Sequence, residues 1–600
     1  MSPRSMTTIG LPSPQLTKQI SILRKSLQQT EEISMERRSF VKNAGIAALA
    51  ATAGDTFGAE SAAAGEPPTG TAGNAAKATE ISTSSGRLRG TSQGGVSAFK
   101  GIPYAEPPVG PLRFRSPQPV RPWKGTRDAL EFGPAAIQTV AGFTSWVSNQ
   151  PQKMSEDCLT LNIWAPTTPQ PKPVIVWIHG GGYRTGSGSM PLYDGTRFAE
   201  IGNVVLVTIN YRLGVLGWSA HRDLTDATTG HFANWAVQDQ IEALRWVKEN
   251  IAAFGGDPTR VTVMGQSGGA INAVMIAHSA AGKGLFHQGI IMGAPYICPP
   301  SSLDIIDWKT AIEALAAEFN TNVGGLRDVP AIELHQAELR QWMQRTVKTD
   351  TGRAYRGAVK DDQVLHDWPA YYALPDIPMI IGNTSQEGSI LFDLYDPVTK
   401  TRLSPPPADE AAARAMVQAR LGMLYYTNDR SPMSGDIIEF YQQCAREDGR
   451  DSSWLEALKE LFGDSAGRHY SVRKAEEAVR NGRKDIFFYQ YGLPLMPPNG
   501  LPGHATELSI LFGTFADPHY REKVGDGEVQ QKMSRAIIEA FSTFAANGRP
   551  SSPLLPSWPS FQSPATNVMV LGENGTMGQV RDLPKYKQLS CFDQLAAMRP

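Results

Sequence analysis

The sequence predicts an α/β fold, with a central, mostly parallel twisted sheet flanked by helices, and three observations carry that expectation. Residues 173–178 are a continuous apolar run, the pattern of a strand buried on both faces rather than one, and 204–209, broken only by Thr208, repeat that pattern. Between 234 and 251, Ala236, Val237, Ile241, Leu244 and Val247 recur with a helical period and share one face. Strand, helix, strand and helix follow in succession, which winds parallel strands together through crossover helices.

In chain order, residues 1–78 read as an extension and 79–600 as one globular domain. Arg37 and Arg38 are followed by Phe40, Val41 and Lys42, then by a mild apolar stretch over 44–53 and the small residues Ala62, Ala63 and Ala64. This resembles a bacterial twin-arginine export signal, whose apolar part is too short to span a bilayer. The expected location is therefore periplasmic or secreted. Met35 stands directly before Glu36 and Arg37, which leaves Met1 and Met35 both open as the translation start. Residues 51–79 are rich in Ala, Gly, Thr and Pro, too poor in large apolar side chains to build a core, and read as linker. Twin-arginine export carries folded chains, which agrees with a fold that does not depend on disulfides.

Composition narrows the partners. With 57 basic and 58 acidic residues the formal net charge is -1, so no electrostatic footprint for nucleic acid or an anionic membrane exists. A small neutral or mildly polar ligand is the expected partner. The four cysteines, Cys158, Cys298, Cys444 and Cys591, are scattered and form no Cys-x-x-Cys pair, which excludes a disulfide framework or a zinc site of the usual spacing. The sequence is silent on oligomeric state.

Within the domain, residues 86–90 and 96–105 read as short strands punctuated by Gly and Pro, and 155–164 as an alternating strand. The apolar run to Ile178 ends in His179-Gly180-Gly181-Gly182. Three glycines after a buried strand contribute nothing to packing, but they let backbone N–H groups face an open space, as an oxyanion hole requires. After the predicted helix, residues 254–258 act as a stop.

Another short strand then leads into Gly265-Gln266-Ser267-Gly268-Gly269, with an Ala/Ile/Val-rich helix behind it. This is the strand, tight turn and helix of a nucleophile elbow, in which glycines two before and two after the serine let neighbouring backbones come close. Gly-x-Ser-x-Gly alone is weak, since about 0.4 copies are expected by chance at ordinary serine frequency. A second copy, Gly463-Asp464-Ser465-Ala466-Gly467, does occur. Leu455, Leu458, Leu461 and Phe462 before it have helical spacing, so no strand feeds that turn. Ser465 is therefore read as a loop or cap serine and Ser267 as the nucleophile.

Glu156 to Asn162, His179 to Gly182, Asn210 to Gly214, Asn234 to Asn250 and Gly265 to Gly269 together resemble a type-B carboxylesterase, the family of para-nitrobenzyl esterases, animal carboxylesterases and cholinesterases. The resemblance runs from about residue 80 to the C-terminus. It implies an α/β-hydrolase fold with helical insertions roofing the active site, for which 311–319 and 411–421 are the candidates. It also implies a Ser–acid–His triad in that chain order. His278 and His287 lie in or just after the elbow helix, too close to turn back; His335, His366, His469, His504 and His519 remain. Matching the family's Gly-His-x-x-Glu-Leu turn selects His504, and the acid matches Glu387 after the apolar run to Ile381, with Asp361 and Asp362 as rivals. The resemblance implies ester hydrolysis through an acyl-enzyme, with the N–H groups of Gly181, Gly182 and Gly268 as oxyanion donors and no metal or organic cofactor.

This chain departs from that family at three places. Gln266 stands where Glu is usual, which removes a charge beside the nucleophile and weakens any expectation of cationic substrates. Gly268 stands where Ala is usual. Ala136 stands where a cysteine is common, so Cys158 is expected to be buried and unpaired unless it meets Cys298, Cys444 or Cys591. Trp218 is read as a core residue, with a place lining the acyl pocket as the alternative. An amidase, carbamate hydrolase or acyltransferase would use the same triad, and a binding protein could keep the scaffold; the intact triad speaks against the last.

Overall fold

A computed structural model describes residues 77–140, 144–147, 152–294, 305–344, 357–367, 372–395, 399, 401–425 and 433–597. The twin-arginine segment, Met35 and Cys298 lie outside the described residues.

Thirteen strands among these residues form one sheet: β1 (Lys77–Thr83), β2 (Gly86–Gln93), β3 (Val96–Pro103), β4 (Thr126–Asp128), β5 (Thr160–Pro166), β6 (Lys172–Ile178), β7 (Val205–Ile209), β8 (Gly256–Gln266), β9 (Gln288–Met292), β10 (Met379–Thr384), β11 (Ile486–Tyr491), β12 (Val568–Leu571) and β13 (Gly578–Arg581). They lie in the order β1-β2-β3-β5-β7-β6-β8-β9-β10-β11-β12-β13, with β4 beside β2. From β7 to β12 every neighbour is parallel. The margins, β1 to β7 on one side and β12 with β13 on the other, are antiparallel apart from β4. The sheet is thus mixed and largely parallel, its parallel part at the centre.

The apolar runs behave as expected. In β6, Val174, Val176 and Ile178 enter the core on one face while Ile175 and Trp177 enter the core on the other. The first core takes Ala236, Val237, Ile241, Leu244 and Val247 from helix α1 (Trp235–Asn250). The second takes Ile537, Ile538, Phe541 and Phe544 from a C-terminal helix, Glu528–Asn547. Each of these Val, Ile, Leu and Phe side chains contributes about 1.5–3 kcal/mol by leaving water.

Two details differ from the sequence reading. The strand expected over 155–164 starts only at Thr160, and its residues are buried on both faces rather than alternating. Helix α1 also buries Gln238, Asp239 and Gln240, a wider face than its apolar stripe implies. Asp239 is tolerable there because Arg212 binds it through Nε at 2.8 Å and Nη2 at 2.6 Å, a fully enclosed bidentate pair.

The candidate insertions fall on helices Ile305–Glu318, which ends one residue before Phe319, and Glu410–Tyr425. The latter shares a small separate core, including Val417, Ile438, Leu458, Leu461 and Phe592, with helices Met433–Glu447, Trp454–Gly463 and Ser590–Ala597. Cys158, Cys444 and Cys591 are free and buried. Among the described residues no helix is long and apolar enough to cross a membrane.

Candidate active site

At β6 the strand order turns back: the chain steps to β7 on one side and then to β8 on the other. Open α/β sheets bind ligands outside the carboxyl ends of strands at such a point. The sequence-predicted residues lie at these ends.

β8 runs through Gln266 and helix α2 (Gly268–His278) begins two residues later, leaving Ser267 as the hinge. Ser267 adopts φ +57° and ψ −126°, a conformation that costs about 1–3 kcal/mol and persists because its surroundings enforce it. Its N–H donates to Met292 O at 2.9 Å. The flanking glycines are required by close approach: a Cβ on Gly265 would sit 2.4 Å from Gly269 O, and one on Gly269 would sit 2.0 Å from Ile178 O. The start of α2 therefore rests on the end of β6, with its positive dipole end beneath the serine.

Past β6, Gly181 and Gly182 take φ of +113° and +60°. Their N–H groups, and that of Gly268, donate to no acceptor among the described residues. Gly182 N lies 3.8 Å from where a Gly268 Cβ would be, so two of these donors border one space. The loop is braced from behind. Gln138 accepts from Gly186 N at 2.8 Å and donates to its carbonyl at 2.9 Å. Arg184 pairs with the buried Glu338 at 2.7 Å, and Glu338 also accepts from Val215 N at 3.0 Å. His179 stacks on Tyr211 at 4.3 Å; burial pulls its pKa down to about 4, so it is a neutral strut bonded to Gly180 O.

Glu387 opens a short turn just after β10. Its Oε1 accepts from Thr384 N at 2.7 Å, and its Oε2 accepts from His504 Nδ1 at 2.6 Å. His504 N donates to Glu387 O at 3.1 Å, so backbone and side chain hold the same pair. With Nδ1–H facing the carboxylate, His504 Nε2 carries the lone pair. That atom lies 3.1 Å from Gln266 Nε2, and among the described residues it makes no hydrogen bond with Ser267 Oγ. Gly293, at φ +49°, backs the pair: a Cβ there would lie 3.1 Å from His504 Nδ1 and 3.3 Å from Glu387 Oε1.

Burial lowers the His504 pKa, but the Glu387 charge and hydrogen bond, with Glu507, outweigh it and hold the imidazole above its ordinary value. Glu507 itself is pushed up to about 8 by burial and then by the Glu387 charge. It is a neutral acid at pH 7 behind the charged one.

The rival residues do other work. Asp361 Oδ1 accepts from the N–H groups of Gln363, Val364 and Leu365, and exposed Asp362 sits 3.7 Å from Lys360. His335 bonds Thr139, His469 bonds Asp593 and His519 bonds Trp146 O. Ser465 is neither loop nor cap: it lies in a π-helical turn, Asp464–Arg468, that joins helix Trp454–Gly463 to His469–Arg480, and its hydroxyl donates to Phe462 O. Trp218 is buried as expected, its ring 4.2 Å from that of Tyr183. The sequence reading missed Gln138, Glu338 and the contact of Gln266 with His504; only Glu507 carried a signal, as part of the motif that selected His504.

A model of the carboxylesterase family matches residues 77–592. Phenmedipham hydrolase of Pseudarthrobacter oxydans is 33% identical over 518 residues, covering 85% of this chain and 98% of that protein. Para-nitrobenzyl esterase of Bacillus subtilis is 29% identical over 521 residues, with the same coverage. Among solved structures, a PNB esterase matches with a TM-score of 0.69 at 28% identity, covering 85% of this chain and 98% of that one. The sheet is accordingly that of an α/β-hydrolase.

Proposed function

The chain belongs to the carboxylesterase family and is a carboxylic ester hydrolase, and from that premise we propose that it cleaves small-molecule esters with Ser267, Glu387 and His504 through an acyl-enzyme. The observation that supports this reading most is the 2.6 Å bond from His504 Nδ1 to Glu387 Oε2 at the sheet end that also carries the strained Ser267. His504 Nε2 takes the Ser267 proton as Oγ attacks the carbonyl carbon. Glu387 holds the tautomer and stabilises the imidazolium. The N–H groups of Gly181, Gly182 and Gly268 receive the oxyanion, each worth about 10²- to 10³-fold in rate. Collapse expels the alcohol with the proton from His504, and water repeats the sequence on the acyl-enzyme.

The test is hydrolysis of a short-chain p-nitrophenyl ester by wild type, Ser267→Ala and Ser465→Ala. Ser267→Ala is expected to lose about 10⁴-fold or more in kcat, and Ser465→Ala to keep most of it. Activity that survives the first and disappears in the second overturns the assignment.

We also propose export by the twin-arginine route on the strength of Arg37 and Arg38. Replacing both with Lys should leave the enzyme in the cytoplasm; undisturbed export refutes the proposal.

A further inference from the structure

Gln266 holds an unusual station. It is the residue before the nucleophile, it is buried, and its side-chain nitrogen lies 3.1 Å from the His504 atom that must accept the serine proton. Glu387 accepts the hydrogen bond from Nδ1–H, so Nε2 of the neutral ring is an acceptor and Gln266 must be the donor. Once Nε2 is protonated that bond cannot exist, because both atoms would be donors. The amide carries its own remedy, since its oxygen is an acceptor a half-turn away about a soft terminal torsion. The oxygen now occupies space over Gly180, where a Cβ would come within 2.5 Å of it.

We propose that Gln266 is a two-position partner of His504, donating its amide N–H to Nε2 while the ring is neutral and, after the amide turns over, accepting from Nε2–H once the ring is protonated. It is a positioning residue that acts through the base, and the proposal rests on the assignment of His504 to that role. In the resting enzyme it occupies the lone pair that Ser267 needs, so the Gln266 bond is exchanged for the Ser267 bond on the way to the transition state. A carboxylate at 266 could fill only the second position.

The groups facing His504 are few. Glu387 comes from the turn after β10 and Glu507 from the same turn as His504; Gly293 after β9 brings no charge, and Gln266 at the end of β8 is neutral. Tyr193, Tyr489 and Tyr491, which surround Glu507, are held un-ionised by burial. A charge introduced at 266 would therefore register directly on the base.

The test is the pH profile of kcat/KM for p-nitrophenyl acetate with wild type, Gln266→Glu, Gln266→Met and His504→Ala, each checked for folding by circular dichroism. Gln266→Glu should move the acid limb about one unit or more to higher pH, because a carboxylate at hydrogen-bond distance favours the imidazolium. Gln266→Met keeps the length but loses both partners, and should lower the plateau of kcat/KM about tenfold or more. An acid limb in Gln266→Glu that superimposes on wild type, or an undiminished plateau in Gln266→Met, overturns the proposal. Full activity in His504→Ala would instead overturn the assignment beneath it.

Discussion

Residues 265–269 and 463–467 carry the same five-residue pattern and do opposite things with it. In the first, the two glycines let three backbone segments converge and force Ser267 out of ordinary geometry. In the second, the backbone stays helical through Gly463, and Ser465 spends its hydroxyl on the preceding turn. Yet the second copy is not idle. A Cβ on Gly463 would lie 2.8 Å from Gly388 N and 3.0 Å from Glu387 Cβ, so this helix packs directly against the turn that carries Glu387. One copy carries the proposed nucleophile and the other makes room for Glu387, its proposed remote partner. A glycine motif reports where backbones touch, and chemistry follows only when a strand end presents a side chain there.

That contrast can be broken or sharpened by experiment. The largest expected effect is the Ser267→Ala loss set against the near-silence of Ser465→Ala. Next comes the brace of the glycine loop. Glu338→Gln removes the buried charge that Arg184 pairs with; breaking a buried pair typically destabilises by up to about 3–5 kcal/mol, so both Tm and kcat should fall. Gly463→Ala is the sharper probe of the second copy. Helix propensity alone would stabilise by about 1 kcal/mol. Contact with the Glu387 turn should instead displace the acid and lower kcat up to about 100-fold, as misplacements near 1 Å do. A raised Tm with unchanged kcat would reduce the second copy to an ordinary helix.

The smallest effects are in pH. The raised His504 pKa means that kcat/KM should fall with acid through a limb above the ordinary histidine value of 6.5. Glu507, at about 8 against 4.5 for a free carboxyl, keeps a proton in the folded state that the unfolded chain releases. Between those values stability should therefore decline as pH rises and level off above about 8. Glu507→Gln should flatten that slope, read as Tm against pH, while wild-type curvature retained in the variant would assign the slope to other groups.

Much of the centre was legible in the sequence. Strands buried on both faces need mostly apolar side chains, so β6 and β7 announced themselves despite Thr208, and His179 to Gly182 marked the loop that follows. The antiparallel margins gave a weaker signal: residues 86–90 read as a short strand, but β1 did not stand out, being half exposed and mixing Lys, Glu and Thr with single apolar residues. Nor did the polar residues of α1, whose burial depends on Arg212 arriving from another segment. Within the site, the triad positions could be matched to motifs. The Arg184–Glu338 pair and the Gln266–His504 contact join positions 154 and 238 apart, where local pattern carries no information.

β9 supplies none of the proposed triad or oxyanion residues, yet the site hangs on its end. Met292 O holds the Ser267 N–H, Gly293 N donates to Gly382 O on β10, and the bare Cα of Gly293 lies behind both His504 and Glu387. For anyone selecting variants with altered turnover, this makes positions 292 and 293 levers on Ser267, His504 and Glu387 together. A library confined to residues that touch substrate would leave them out.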